Sequence, residues 1–136
     1  MILDATNLIV GRFATVVAKK AMLGEKIDIV NCEKAIMTGS KKEIIARFNT
    51  KRKMGVPLQG PYFPRLSDRI VRRIIRGMLP YKNHKGDVAY KNVMCYLGVP
   101  IQLVGKEFET IKEADVSKMN NVKFVTIETI SKELRC

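Results

Sequence analysis

Arg69, Arg72, Arg73 and Arg76 recur at i, i+3, i+4 and i+7 within the segment SDRIVRRIIRGM, so on a helix turning about 100° per residue they gather on one side. A guanidinium is a planar fork that grips two phosphate oxygens at once and stacks on flat rings, so four of them on one face suit a polyanion. The acids that would neutralise them in place are missing. Between Tyr62 and Asn83 the only carboxylate is Asp68, and pairing within the helix therefore cannot account for the set. Val71, Ile74, Ile75 and Met78 repeat the same spacing on the opposite side and are predicted to form the packed face.

Other basic residues flank this helix. Lys51, Arg52 and Lys53 precede the loop GVPLQGPYFP, Arg65 follows it, and Lys82, Lys85 and Lys91 lie beyond the helix. Tyr62, Phe63 and Tyr81 fall among them, where aromatic rings either stack on bases or pack at a domain rim. The formal charge of the 136-residue chain is +12, and its distribution is uneven. Residues 41–91 hold fourteen Lys/Arg against three Asp/Glu, whereas residues 1–40 hold five against four and residues 92–136 hold six of each. Such a block attracts polyanions and repels itself, so it points to a partner.

Catalytic patterns are absent. There is no GxGxxG and no GxxxxGK[ST], and TGSKK (Thr38 to Lys42) reads as a helix start more readily than as an anion site. His84 is the sole histidine and has no nucleophile motif near it. Asp4, Asp28 and Glu33 have no spacing that predicts an acid and base pair, and Cys32 reads as a small buried hydrophobe. Cys32, Cys95 and Cys136 form neither a disulfide framework nor a zinc cluster, which fits a reducing cytoplasm. No enzyme, metal, cofactor, small-molecule substrate or membrane partner is expected.

The elements that must carry these residues alternate in type. A strand is expected at Ile2 to Ala5, then a helix from Gly11 to Gly24, a strand at Ile27 to Asn31, and a helix at Lys41 to Lys53 with Ser40 as N-cap. The arginine helix runs from an N-cap at Ser67 to Arg76 or Gly77. A short helix near Asp87 to Val93, a strand in MCYL, an alternation at Phe124 to Ile127 and an amphipathic finish, ISKEL, complete the chain. Strands separated by helices favour one α/β domain over residues 1–136: three layers, α/β/α, around a mainly parallel, roughly four-stranded sheet.

Several segments together resemble the universal large-subunit ribosomal protein family thirteen, in its archaeal form. RGMLPYK (Arg76 to Lys82) resembles the family signature, and NCEKAIMTGSK (Asn31 to Lys41) its Asn-Ala-Glu-Lys segment. DATNLIVGR (Asp4 to Arg12) resembles its opening strand and helix start, and YLGVP (Tyr96 to Pro100) a strand end. Cys32 stands where the family usually has alanine. The resemblance implies a structural constituent of the large ribosomal subunit that binds its rRNA early in assembly, beside other ribosomal proteins. It implies Gly11, Arg12, Arg73, Arg76, Gly77 and Lys82 as RNA-facing, while Lys51, Arg52, Lys53, Arg65, Arg69, Arg72, Lys85 and Lys91 are added from the charge pattern. A nucleic-acid-modifying enzyme and a free regulatory RNA-binding module are the rival readings of the same basic surface.

Overall fold

The computed structural model describes residues 1–135, so Cys136 lies outside the described residues. The strand Ile27–Val30 (β2) is β-branched and almost fully buried, as suits a central parallel strand covered on both faces. Ile2–Asp4 (β1) pairs with it in parallel, placing Leu3 opposite Ile29, and Val93–Cys95 (β4) pairs on its other edge, placing Cys95 opposite Ile29. Parallel neighbours need crossovers. The helix Val10–Met22 (α1) supplies the first, burying Val10, Phe13, Ala14, Val17, Ala18 and Ala21 along one stripe.

The second crossover is long. It holds Ile36–Thr38 (β3), Lys41–Lys53 (α2), Ser67–Gly77 (α3) and His84–Lys91 (α4) before the chain returns at β4. Phe124–Thr126 (β5) then pairs antiparallel with β3, and Ile127–Arg135 (α5) closes against α2 and α3. The α/β class with a mainly parallel sheet is therefore present, but its strands divide. Three parallel strands, β1-β2-β4, form one sheet and β3-β5 a separate pair, in place of one sheet of roughly four. The NCEKAI segment explains the division: Asn31 turns the chain left-handed at φ 56°, a 3-10 turn follows at Cys32–Lys34, and β3 leaves in another direction.

The residues after Ile101 complete the core. Glu109 exchanges main-chain hydrogen bonds with Ile2 and Asp4 along the outer edge of β1, and Ile9 N donates to Ala114 O at 2.8 Å. Ala114, Val125, Ile127, Ile130 and Leu134 are buried in the same cluster as Leu3 and Phe13. No described helix is long and apolar enough to cross a membrane.

At α4 the expected helix, Asp87 to Val93, begins three residues earlier. Gly86 permits it: a Cβ there would lie 2.0 Å from the Pro80 carbonyl oxygen, so the first turn of α4 rests directly on the backbone of the Leu79 to Lys82 turn. That contact fixes Lys82 and Lys85 relative to the end of α3.

Candidate nucleic-acid interface

Helix α3 is wedged between α1, α5 and β4, and enclosure on several sides buries a wider stripe than its own periodicity predicts. Ser67, Ile70, Val71 and Ile75 are buried. Met78 is 43% exposed and Ile74 only half-buried, so the packed side keeps its expected direction but is deepest toward the start of the helix rather than along the whole of Val71, Ile74, Ile75 and Met78. The helix starts at Ser67 itself, with Leu66 at the N-cap, and neither supplies a side-chain cap. Asp68 sits in the first turn, with one carboxylate oxygen buried and unpartnered.

The four arginines differ more in their partners than in their exposure, since Arg72 is half-exposed like Arg73 and Arg76. Arg69 is exposed, Arg73 and Arg76 are half-exposed, and the three lie within about 60° of one another around the helix axis. Arg72 lies about 60° from Ile75 and is drawn into the border of the packed side. Its Nε donates to Val93 O at 3.0 Å and its Nη2 to Tyr90 O at 3.3 Å, while the guanidinium stacks 4.2 Å from the Tyr90 ring centre. Arg72 ties α3 to the α4–β4 connection. We expect Arg72→Ala to lose about 1–3 kcal/mol of stability in denaturant titrations, because two main-chain carbonyls lose a charged donor. RNA affinity of the folded variant should change much less than for Arg73→Ala.

Arg76 stacks 4.5 Å from the ring centre of Tyr81, an arrangement that holds both groups near the surface at the end of α3. Lys82 and Lys85 are exposed just beyond, as is Gly77. Among the described residues no carboxylate forms an ion pair with Arg69, Arg73 or Arg76. Arg12 is exposed at the start of α1 and donates to Glu113 O at 3.3 Å.

Helix α2 divides its cations between two sides. Arg52 donates to Leu134 O at 2.6 Å, and Lys41 pairs with Glu133 at 3.3 Å, so both join α2 to α5. Lys51 instead reaches over the rings of Phe48 and Phe63, at 5.7 and 5.6 Å from their centres. Lys53 and Arg65 are exposed at the two ends of the Pro-rich loop. Lys91, grouped with the interface by charge, pairs with Asp87 one helical turn away at 2.9 Å. The expected set thus separates into an exposed group around α3 and residues occupied with their own protein neighbours.

A groove of about 760 Å³ opens beside the arginine face, walled by α1, α2, α3 and the Pro-rich loop. Gly11, Lys51, Arg73 and Gly77 line it, and so does Arg47, which the sequence reading passed over. The signal was present in the i, i+4 spacing of Arg47 and Lys51, but the cations on the other side of α2 obscured it. Phe63 borders the groove and meets Phe48 edge to face at 5.6 Å, whereas Tyr62 is exposed and donates to Pro57 O.

Asp4, Asp28, Glu33 and Cys32 are occupied structurally. Burial raises the Asp4 carboxyl, but hydrogen bonds from Thr6 and Asn31, with Lys34 nearby, prevail and hold it below its ordinary pKa. Glu33 accepts from Gly98 N, and Asp28 from the Tyr96 hydroxyl. Cys32 is fully buried, and its hydrogen bond to Cys95, together with burial, pushes the Cys95 thiol well up. Among the described residues no group of His, Cys, Asp and Glu is arranged to hold a metal ion.

Comparison with known proteins agrees with the resemblance in these segments. The family model described as ribosomal protein L13 matches residues 1–102. The large ribosomal subunit protein uL13 of Methanococcoides burtonii is 41% identical over 133 residues, covering 98% of this chain and 96% of the relative. The protein of the same name from Picrophilus torridus is 45% identical, covering 97% and 94%, and that from Methanopyrus kandleri is 42% identical, covering 98% and 85%.

Proposed function

Because this chain belongs to the ribosomal protein L13 family, we propose that it is a structural constituent of the large ribosomal subunit that binds and stabilises large-subunit rRNA, early in assembly. The observation that carries the rRNA reading is the arginine face of α3. Arg69, Arg73 and Arg76 project from a helix whose other sides are locked in the core, and no carboxylate among the described residues neutralises them. A rigid cationic face neutralises phosphates where RNA segments crowd together, releasing their counterions. Gly11, Arg12, Lys51, Lys53, Arg65, Gly77, Lys82 and Lys85 extend the contact around that centre. Shape and phosphate spacing do most of the selecting, since the deep groove of A-form RNA hides base edges.

Residues 1–136 act in this reading as one rRNA-binding domain working in the cytoplasm, with neighbouring large-subunit proteins against the surfaces that carry little charge. No catalytic step belongs to it. In sucrose gradients of cell extract the chain should travel in stoichiometric amounts with the large subunit and leave it only at high salt. Sedimentation as free protein at low salt would sink the ribosomal assignment.

A further inference from the structure

We propose that the groove beside α3 receives one unpaired nucleotide swung out of the RNA, its base in the apolar trough and its phosphate among Arg47, Lys51 and Arg73. The proposal rests on the rRNA-binding reading above and adds what that reading leaves open, namely a site for a base.

Three observations carry it. The groove has the volume of a small-molecule pocket, about 760 Å³, where a purely phosphate-binding surface needs no depth. Its lining is of two kinds: Val10, Met37, Phe63 and Ile74 make an apolar floor, while Arg47, Lys51 and Arg73 stand among them without any carboxylate. An apolar protein segment would fill the floor but bring no anion to the three cations, of which, among the described residues, Arg47 meets only Met37 Sδ and the Phe48 ring and Lys51 only the Phe48 and Phe63 rings, whereas a nucleotide presents a flat ring and an anion about one sugar apart. The third observation concerns the start of α1. No side chain caps it, its first turn carries no acid, and Gly11 leaves open space where a Cβ would stand. Main-chain N–H groups at a helix start favour an anion, and Val10 and Gly11 of that first turn line the same groove as the cations. Phe63 is half-buried and edge-on to Phe48, so the ring that borders the groove is held in place by another ring before any base arrives.

The groove can be blocked without removing charge. Gly11 is exposed, sits in an ordinary helical conformation, and has nothing within 4 Å of an added Cβ, so Gly11→Leu folds and puts a bulky side chain into the groove. The measurement is fluorescence anisotropy of the intact chain with a single-stranded adenosine pentamer and with the same pentamer lacking its central base. The complete pentamer should bind about tenfold more tightly, as loss of one stacked base implies. Gly11→Leu should erase that preference. Phe63→Leu, which keeps an apolar filler at that position, should reduce it as well. Equal affinity of the two pentamers for the unaltered chain overturns the proposal, as does a preference that survives Gly11→Leu. Displacement of the pentamer by a neutral, leucine-rich peptide, with no base preference, also overturns it and assigns the groove to a protein neighbour. Binding of large-subunit rRNA is measured alongside: if it persists with a steep salt slope while base preference is absent, the groove proposal alone fails, and if it is absent too, the rRNA reading fails with it.

Discussion

Changing Arg69, Arg73 and Arg76 together to Ala should lower affinity for large-subunit rRNA by about a hundredfold to a thousandfold while leaving the unfolding midpoint nearly unchanged. Each guanidinium in contact with phosphate is worth about 1–1.5 kcal/mol net, and three of them give about 3–4.5 kcal/mol. Three lost phosphate contacts should also flatten the plot of log affinity against log salt by about 2 to 3 units. Folding is nearly indifferent because none of the three has an ion-pair partner among the described residues. Removing Arg76 sacrifices its stacking on Tyr81, worth about 0.5–1 kcal/mol at an exposed site, and relief of repulsion among the three offsets it. The matching Lys variant separates charge from shape. It keeps the salt slope but loses the bidentate grip, so affinity falls by a smaller factor. A triple Ala variant whose slope equals that of the unaltered chain would remove α3 from the interface.

How far this interface was legible in the sequence depends on where each residue's neighbours come from. The arginine helix was legible because period and charge both lie within twelve residues, Ser67 to Met78. The inward turn of Arg72 was not, since the carbonyls that accept its hydrogen bonds belong to Tyr90 and Val93, and a residue at the border of a helix face goes wherever the adjoining element offers acceptors. Arg52 repeats the lesson, reaching the far end of the chain at Leu134. The groove was illegible for the same reason, because α1, β3, α2, the Pro-rich loop and α3 each contribute a part. The alternation at Phe124 to Ile127 marked β5, but β3 and the pairing of the two strands across almost ninety residues were announced by no local pattern. Local signals named most helices, the strands β1 and β2, and, from MCYL and the alternation at Phe124 to Ile127, the positions of β4 and β5, and the RGMLPYK and NCEK segments supplied the family where physics supplied only a polyanion.

The sharpest separation between the two sides of α3 comes from adjacent isoleucines. Ile75 is fully buried against the cluster that contains Phe13 and Ile130, and Ile75→Ala should lower stability by about 2–5 kcal/mol, the range for removing a large aliphatic side chain from a packed core. That is a large part of the roughly 5–15 kcal/mol that holds an ordinary domain together, so urea midpoints should fall steeply. Ile74, one residue away, is half-buried and borders the groove, so truncation there leaves an opening that water already reaches. Ile74→Ala should therefore lose markedly less stability than Ile75→Ala, although periodicity alone places both on the packed side. In RNA binding the order reverses. Under conditions where both variants remain folded, Ile75→Ala should bind rRNA with unchanged affinity and salt slope, because it touches nothing outside the core. Ile74→Ala should weaken the preference for the complete adenosine pentamer, because it removes part of the floor on which the base rests. Equal stability losses for the two would show that α3 packs as a symmetrical stripe, and the groove would then have no wall on that side.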